Sequence, residues 1–407
     1  MLKQVTIKGF KGITDLTLNL DKINVLIGIN SSGKTTILQA LDLLANCVSR
    51  DVSEYLKDKN WKVSDIKSQI SKSSLLSYNA LFEFEENGNP FLLIWQIEFK
   101  LISATSVNLI KESILKVNGK WDKAYCNIDK QQKLFENAIP LYTYRDGIVI
   151  YEAFHDQKAK NQESEFYLSL GSSGLKIIDF AGNKDICLLK EFLKHTTNFE
   201  TLAAENMRRS SRGTTEDIGI GGKQLAAFIK QMNPQQKEDY TKIVHSILNS
   251  MDSIDAYTKG TPGWVELFIN EKFGSNDIKV RPYHISDGTL RILAFVALLN
   301  TQYDLGLLML DEIENGLNPY ITTKIVELLY EFTSQTKHQL LLSTHSSLML
   351  DDFKPEDIIY VYRDNDGRIK AKKVFNTKKI KTFLDYMSPG EIWINLTEKE
   401  LLEPNDN

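Results

Sequence analysis

The sequence predicts a mixed α/β fold: a core with a mostly parallel sheet, an antiparallel β-subdomain beside it, and an inserted helical subdomain. Three observations predict it. A short apolar run, Ile23-Asn24-Val25-Leu26-Ile27, leads through a Gly-rich turn into Ile37, Leu41, Leu44 and Val48 at helical spacing. A second apolar run, Leu307-Leu308-Met309-Leu310, ends in two adjacent carboxylates, Asp311 and Glu312. Between the two, the pattern has period 2 from Ala80 to Leu101 and turns helical from Lys184 to Ser253. We therefore expect an N-terminal lobe over 1–180, a helical insertion over 181–255 and a C-terminal lobe over 256–407.

Composition sets the frame. The chain has 407 residues, 42% hydrophobic and 25% charged, in the range of globular proteins. A net charge of -4 and a pI near 6.0 do not indicate a globally basic nucleic-acid binder. Cys47, Cys126 and Cys187 are far apart and lack metal-site spacing, so buried thiols in a reducing cytosol are expected. No N-terminal apolar signal core is present, and the longest apolar run, Ile292 to Leu299, is too short to span a bilayer. A cytoplasmic protein without membrane contact is the expectation.

In chain order, Val5 and Ile7, then Leu16, Leu18 and Leu20, mark two short strands joined by a turn at Phe10-Lys11. Those two residues could meet a nucleotide base, or Phe10 could belong to the core. Next comes Gly28-Ile29-Asn30-Ser31-Ser32-Gly33-Lys34-Thr35-Thr36, which fits the phosphate-loop pattern G-x-x-x-x-G-K-[ST] between a strand and a helix. Glycines let backbone N–H groups turn inward, and the helix N-terminus adds partial positive charge. The loop predicts a bound nucleoside triphosphate held by Gly28, Asn30, Ser31, Ser32, Gly33, Lys34, Thr35 and Thr36. Lys34 would reach the β- and γ-phosphates, and the Thr35 hydroxyl would ligate Mg²⁺.

Lys57 to Ser74 is rich in Lys and Ser and reads as a solvated segment or a nucleic-acid contact. Phe82 and Phe84, then Phe91 to Leu101, form a hairpin around Glu85 to Asn89. Ser113–Val117 is expected to pair with Lys120–Cys126 across Asn118-Gly119, and Leu141 to Phe154 to continue the meander around Asp146-Gly147. Three amphipathic helices follow, marked by Ile186, Leu189, Phe192 and Leu193; by Leu225, Phe228 and Ile229; and by Ile243, Ile247, Leu248 and Met251. The locally basic stretch Met207 to Gly213 reads as a surface loop or a phosphate contact. Val265–Ile269 and Ile278–Arg281 make a last hairpin.

Ser286 is an N-cap for the apolar helix behind it, and Ser286-Asp287-Gly288 offers a second anion site. Asp311 would hold Mg²⁺ through its water shell and Glu312 would polarise the attacking water, with Glu314 a second candidate base. Asn315 to Pro319 turns into a helix over Tyr320–Thr333. The strand Gln339–Leu342 ends in Ser343-Thr344-His345-Ser346, where His345 can sense the γ-phosphate and orient water.

The order of these motifs resembles the ABC-type ATPases, in particular the RecF/SMC-like branch with the OLD family and related AAA-type defence ATPases. The resemblance covers Leu2 to Leu44 and Tyr283 to Met349, more loosely Phe199 to Phe228. It implies that Ser286 and Gly288 act as the signature motif, Asn315 to Pro319 as the D-loop and His345 as the switch histidine. The family's phosphate loop usually carries Pro and Gly where this chain has Ile29 and Ser31. The resemblance further implies a two-fold homodimer in which the signature of one subunit completes the nucleotide site of the other.

Three roles follow from it: an ATP-gated sensor in bacterial or phage defence with a separately encoded toxin or nuclease as effector, a RecF-like DNA-repair ATPase, or a transporter subunit. The long segment from Lys34 to Ser286 weakens the last. Residues 346–407 are too few for the nuclease domain of the OLD type, so Asp351, Asp352, Glu356, Asp357, Asp364 and Asp366 read as solvated surface. Met387 to Trp393 reads as either a docking surface or a tail on its own core.

Overall fold

The computed structural model describes residues 1–71, 73–103, 106–122, 125, 134–145, 148–151, 162–165, 171–177, 182–199, 202–215, 217–260, 263–300 and 305–402. The chain opens with β1 (Leu2–Phe10), β2 (Ile13–Asn19) and β3 (Ile23–Ile27). β1 and β2 have alternating burial and belong to an antiparallel sheet, whereas all five residues of β3 are buried. That difference assigns β3 to a sheet covered on both faces.

The antiparallel sheet has eight strands in the order β2-β1-β4-β5-β6-β7-β8-β9. Its further members are β4 (Leu75–Glu86), β5 (Asn89–Leu101), β6 (Val107–Asn118), β7 (Ile139–Arg145), β8 (Ile148–Tyr151) and β9 (Gln162–Glu165). Trp95, Phe82 and Phe99 on its inner face are fully buried with Ile37, Leu38 and Leu44 of the helix Lys34–Asn46. The expected partner of Ser113–Val117 is wrong: β6 pairs with β7, through Ser113↔Thr143 and Glu112↔Tyr144. Gly119 ends β6 at φ 123° with its N–H on the Pro90 carbonyl, and Trp121 donates its N–H to Glu83. Cys126, Asp146-Gly147 and Phe154 lie outside the described residues.

The second sheet has the order β10-β15-β16-β3-β17-β18. Its members beyond β3 are β10 (Thr197–Phe199), β15 (Leu307–Leu310), β16 (Gln339–Ser343), β17 (Ile358–Arg363) and β18 (Ile369–Lys372). All pairs are parallel except β17 with β18. This sheet separates two cores. Leu26, Leu341, Met309 and Ile359 face the core shared with the antiparallel sheet. Val25, Leu342, Leu308 and Tyr360 face the core built by the helices Asp287–Leu299 and Pro319–Gln335. Buried Gln339 stitches the sheets together: it accepts the Leu2 N–H and donates to the carbonyls of Leu2 and Asp21.

A small third sheet comprises β11 (Ser211–Arg212), β12 (Met251–Lys259), β13 (Trp264–Phe273) and β14 (Asn276–Val280). It packs on the helices Leu225–Gln231 and Pro234–Ile247, the latter capped by Asn233 with Pro234 in its first turn. Met251, placed in a helix by its spacing, is the first residue of β12. The stretch 181–255 also contributes β10 to the edge of the parallel sheet. Phe10 is fully buried, a core residue and not a surface for a base. Asp357 is 8% exposed and accepts the Tyr330 hydroxyl, so it departs from the expected solvated surface.

Candidate functional site

The C-terminal ends of four neighbouring parallel strands converge here, the edge at which open α/β sheets take ligands. β3 delivers the phosphate loop. Gly33 stands at φ 115° as N-cap of Lys34–Asn46, with no side chain capping the helix. The first N–H groups of that helix, on Lys34, Thr35 and Thr36, therefore remain available to an anion. Lys34, 5% exposed, donates its Nζ to the carbonyls of Gly28 at 2.8 Å and Ile29 at 3.2 Å. Burial pushes its pKa below the ordinary lysine value, while Glu312, Asp311 and Glu314 pull it back up. Ser31 is left-handed at φ 66°, Asn30 is exposed, and the buried Ser32 hydroxyl has no partner among the described residues.

β15 lies two strands from β3, with β16 between, so neighbouring strand spacing sets them about 10 Å apart. Side chains close that gap. Thr35 Oγ1 donates to Asp311 Oδ2 at 2.9 Å, and Ser343 Oγ, at the end of β16, donates to Asp311 Oδ1. Ser343 Oγ also accepts the Glu312 N–H at 3.1 Å, which fixes Glu312 at the left-handed φ of 49°. Glu312 Oε1 lies 3.3 Å from His345 Nε2, and Glu312 Oε2 accepts from Asn315 Nδ2 at 2.7 Å. Glu314 Oε1 instead accepts the His345 backbone N–H at 2.6 Å. Lys34, Thr35, Asp311, Glu312 and His345 are thus brought together, and the two glutamates are separated by their partners.

Ser286 caps Asp287–Leu299 by accepting the Thr289 N–H. Gly288 faces the Asn315–Pro319 turn: a Cβ there would stand 3.0 Å from the Gly316 carbonyl oxygen. Arg291 ties the same two elements by donating to the Asn315 carbonyl. Arg208, from the stretch expected to be a surface loop or a phosphate contact, braces the Ile285–Asp287 segment around Ser286 by donating to the Ile285 carbonyl and the Asp287 carboxylate. Ser343, Arg291 and Arg208 escaped the sequence reading. The Ser343-Thr344-His345 triplet at a strand end was the one local signal, and it pointed to the histidine.

Thr35 and Asp311 present a hydroxyl and a carboxylate, hard oxygen donors that suit Mg²⁺. Among the described residues no cluster of three or more His, Cys, Asp or Glu could cage a metal alone. The arrangement fits a Mg²⁺ ion shared with phosphate oxygens. Among the described residues no helix is long and apolar enough to cross a membrane.

A 61-residue stretch, 15% of the chain, is 44% identical to uncharacterized protein YbjD of Escherichia coli (strain K12) and spans 11% of that relative's length. Among solved structures the chain is similar to an SMC head bound to the C-winged helix domain of ScpA, at 14% identity and TM-score 0.49, covering 91% of this chain and 96% of that one. It is also similar to the SMC head domain from Thermotoga maritima, at 14% identity and TM-score 0.43, covering 91% and 98%. The family model described as an AAA ATPase domain matches residues 1–350, a stretch that contains the phosphate loop, the carboxylate pair and His345, and the chain belongs to that family of ATPases.

Proposed function

We propose that this chain is an ABC-type ATPase of the RecF/SMC-like kind that binds Mg-ATP, closes as a homodimer and hydrolyses ATP. The observation that carries the reading is the bridge Thr35–Asp311–Ser343–Glu312, with Lys34 and His345 at its two ends. Lys34 exchanges its two carbonyls for phosphate oxygens. Thr35, and Asp311 through the water shell, would hold Mg²⁺, which would supply charge neutralisation for the polyphosphate. Glu312 accepts a proton from the attacking water, and His345 fixes the Glu312 carboxylate and contacts the γ-phosphate. Glu314 turns one oxygen to the His345 backbone N–H and buries the other, whereas Glu312 stands beside the His345 ring, which favours Glu312 as the base. Transfer of this kind rests on positioning and charge neutralisation, not on a covalent intermediate.

In the dimer, Ser286 and Gly288 of one subunit meet the γ-phosphate bound to the other. The D-loop beside Gly288 gives that contact a route to Glu312. ATP then favours the closed dimer and hydrolysis releases it. We propose a sensor role in bacterial antiphage defence with a separately encoded effector, on the strength of motif order. The RecF-like alternative needs free basic surface. Cations of the two basic stretches are engaged within the chain, Lys59 with Asp42 and Arg208 with Asp287.

The test is ATP turnover and size-exclusion chromatography in Mg-ATP. Wild type is expected to hydrolyse ATP, and Glu312→Gln to retain ATP and run as a dimer. A Glu312→Gln protein that turns over at the wild-type rate removes Glu312 as the base and makes Glu314 the suspect.

A further inference from the structure

We infer that Arg363, on the β17–β18 hairpin, is a positioning residue for the nucleotide, holding Ser31 of the phosphate loop in its anion-receiving conformation. The inference rests on the nucleotide-site reading above and adds to it an element beyond residue 350, outside the family-matched stretch.

A phosphate loop presents N–H groups inward, so its carbonyls turn outward and need donors of their own. The carbonyls of Gly28 and Ile29 have Lys34, and that of Ile29 also has the Ser32 N–H at 3.1 Å. The Ser31 carbonyl has Arg363, whose Nε donates to it at 2.8 Å. Ser31 needs such a restraint, because a non-glycine residue at φ 66° is strained by about 1–2 kcal/mol. Arg363 is itself anchored: its Nη1 donates to the Gly367 carbonyl at 2.7 Å in the hairpin's own turn.

The rest of the hairpin presses on the loop in the same place. Ile369 donates its N–H to the Gly12 carbonyl at 3.1 Å. Its Cδ1 lies 2.4 Å from where a Cβ on Gly33 would stand. Gly12 in turn leaves room for Arg363: a Cβ there would be 3.0 Å from Nη1. Glycine at 12 and at 33 is what lets the hairpin close on the loop.

Lys34 cannot serve as the loop's brace once nucleotide is bound, because its ammonium must leave the two carbonyls for phosphate. Arg363 keeps its acceptor in both states. Its guanidinium is exposed beside the loop and adds a second fixed positive charge near the polyphosphate.

The experiment is a titration of the full chain with a fluorescent methylanthraniloyl-ATP in Mg²⁺, comparing wild type, Arg363→Ala and Arg363→Lys. Loss of one hydrogen bond from a charged donor predicts a Kd raised on the order of tenfold for Arg363→Ala. Arg363→Lys is expected to fall between, because an ammonium on that stem cannot hold both carbonyls in the guanidinium's fork. In steady state the rise in KM is to exceed the fall in kcat, and melting temperatures without nucleotide are to stay close to wild type. Arg363→Ala binding within twofold of wild type overturns the inference. Should Arg363→Ala fail to fold, a wild-type Kd for Arg363→Lys overturns it equally. A wild-type protein that does not bind the analogue at all would sink the nucleotide-site reading instead, a separate result.

Discussion

Two carboxylate centres in this molecule are built in opposite ways. Glu112, on β6, is fully buried and accepts from four groups: Trp95 Nε1 at 2.9 Å, Ser173 Oγ at 2.5 Å, the Gly174 N–H at 2.7 Å and Tyr142 Oη at 3.3 Å. Asp311 and Glu312 are only partly buried and share their donors across three strands. Both oxygens of Glu112 are satisfied by protein donors, so the group is a fastener that pins Ser173 and Gly174 to the antiparallel sheet. Each oxygen of the Asp311–Glu312 pair has one partner where each oxygen of Glu112 has two, and the nearby Lys34 holds only carbonyls. A satisfied carboxylate stabilises the fold, and an incompletely satisfied one beside a spare cation is set for a ligand.

The contrast can be broken from either side. The largest effect is expected from Lys34→Ala, which removes the cation of the open centre: ATP affinity should fall by more than about a hundredfold, read by calorimetry. Glu312→Gln should lower kcat by roughly a hundredfold or more while ATP stays bound, read by phosphate release. Glu112→Gln should leave ATP affinity near wild type but cost about 1–3 kcal/mol of stability, because an amide places N–H groups against donors. Urea midpoints check this. Glu314→Gln should change turnover by only a few-fold.

The two centres also differ in their response to pH. Burial pushes the Glu112 pKa above its ordinary 4.5, and its four donors only partly reverse this. The folded state then holds a proton that the unfolded chain releases. Glu112 therefore disfavours the fold as pH rises from about 4.5 through the raised value. Glu112→Gln cannot titrate, so its deficit relative to wild type should shrink across that interval. A deficit independent of pH would show that burial does not raise this group.

The phosphate loop, the Asp311-Glu312 pair, the Ser286 cap and most of the parallel strands were legible because each is a local pattern with a local cause. β3 and β15 read as buried from their apolar runs alone, and Ser286 read as a cap from the helix behind it. What escaped depends on partners distant in sequence. β6 was paired with the nearest following segment because a two-residue turn signal stood there, whereas its partner starts at Ile139. Arg208 looked like a free cation because nothing local reveals that Asp287 is opposite. Glu112 looked like any polar residue in an alternating strand; only the arrival of Ser173 and Gly174 makes it buried and bonded.

β3 has an unusual consequence for how the protein is made. Both neighbours of this apolar strand, β16 and β17, are synthesised more than 300 residues later. As the chain emerges from the ribosome, Ile23–Ile27 has no sheet to join until β16 and β17 have followed it. At ordinary elongation rates of about 5–20 residues per second, that wait lasts tens of seconds. A stall or stop near residue 350 would release a chain whose nucleotide-binding strand lacks one flank, an obvious client for chaperones and proteases.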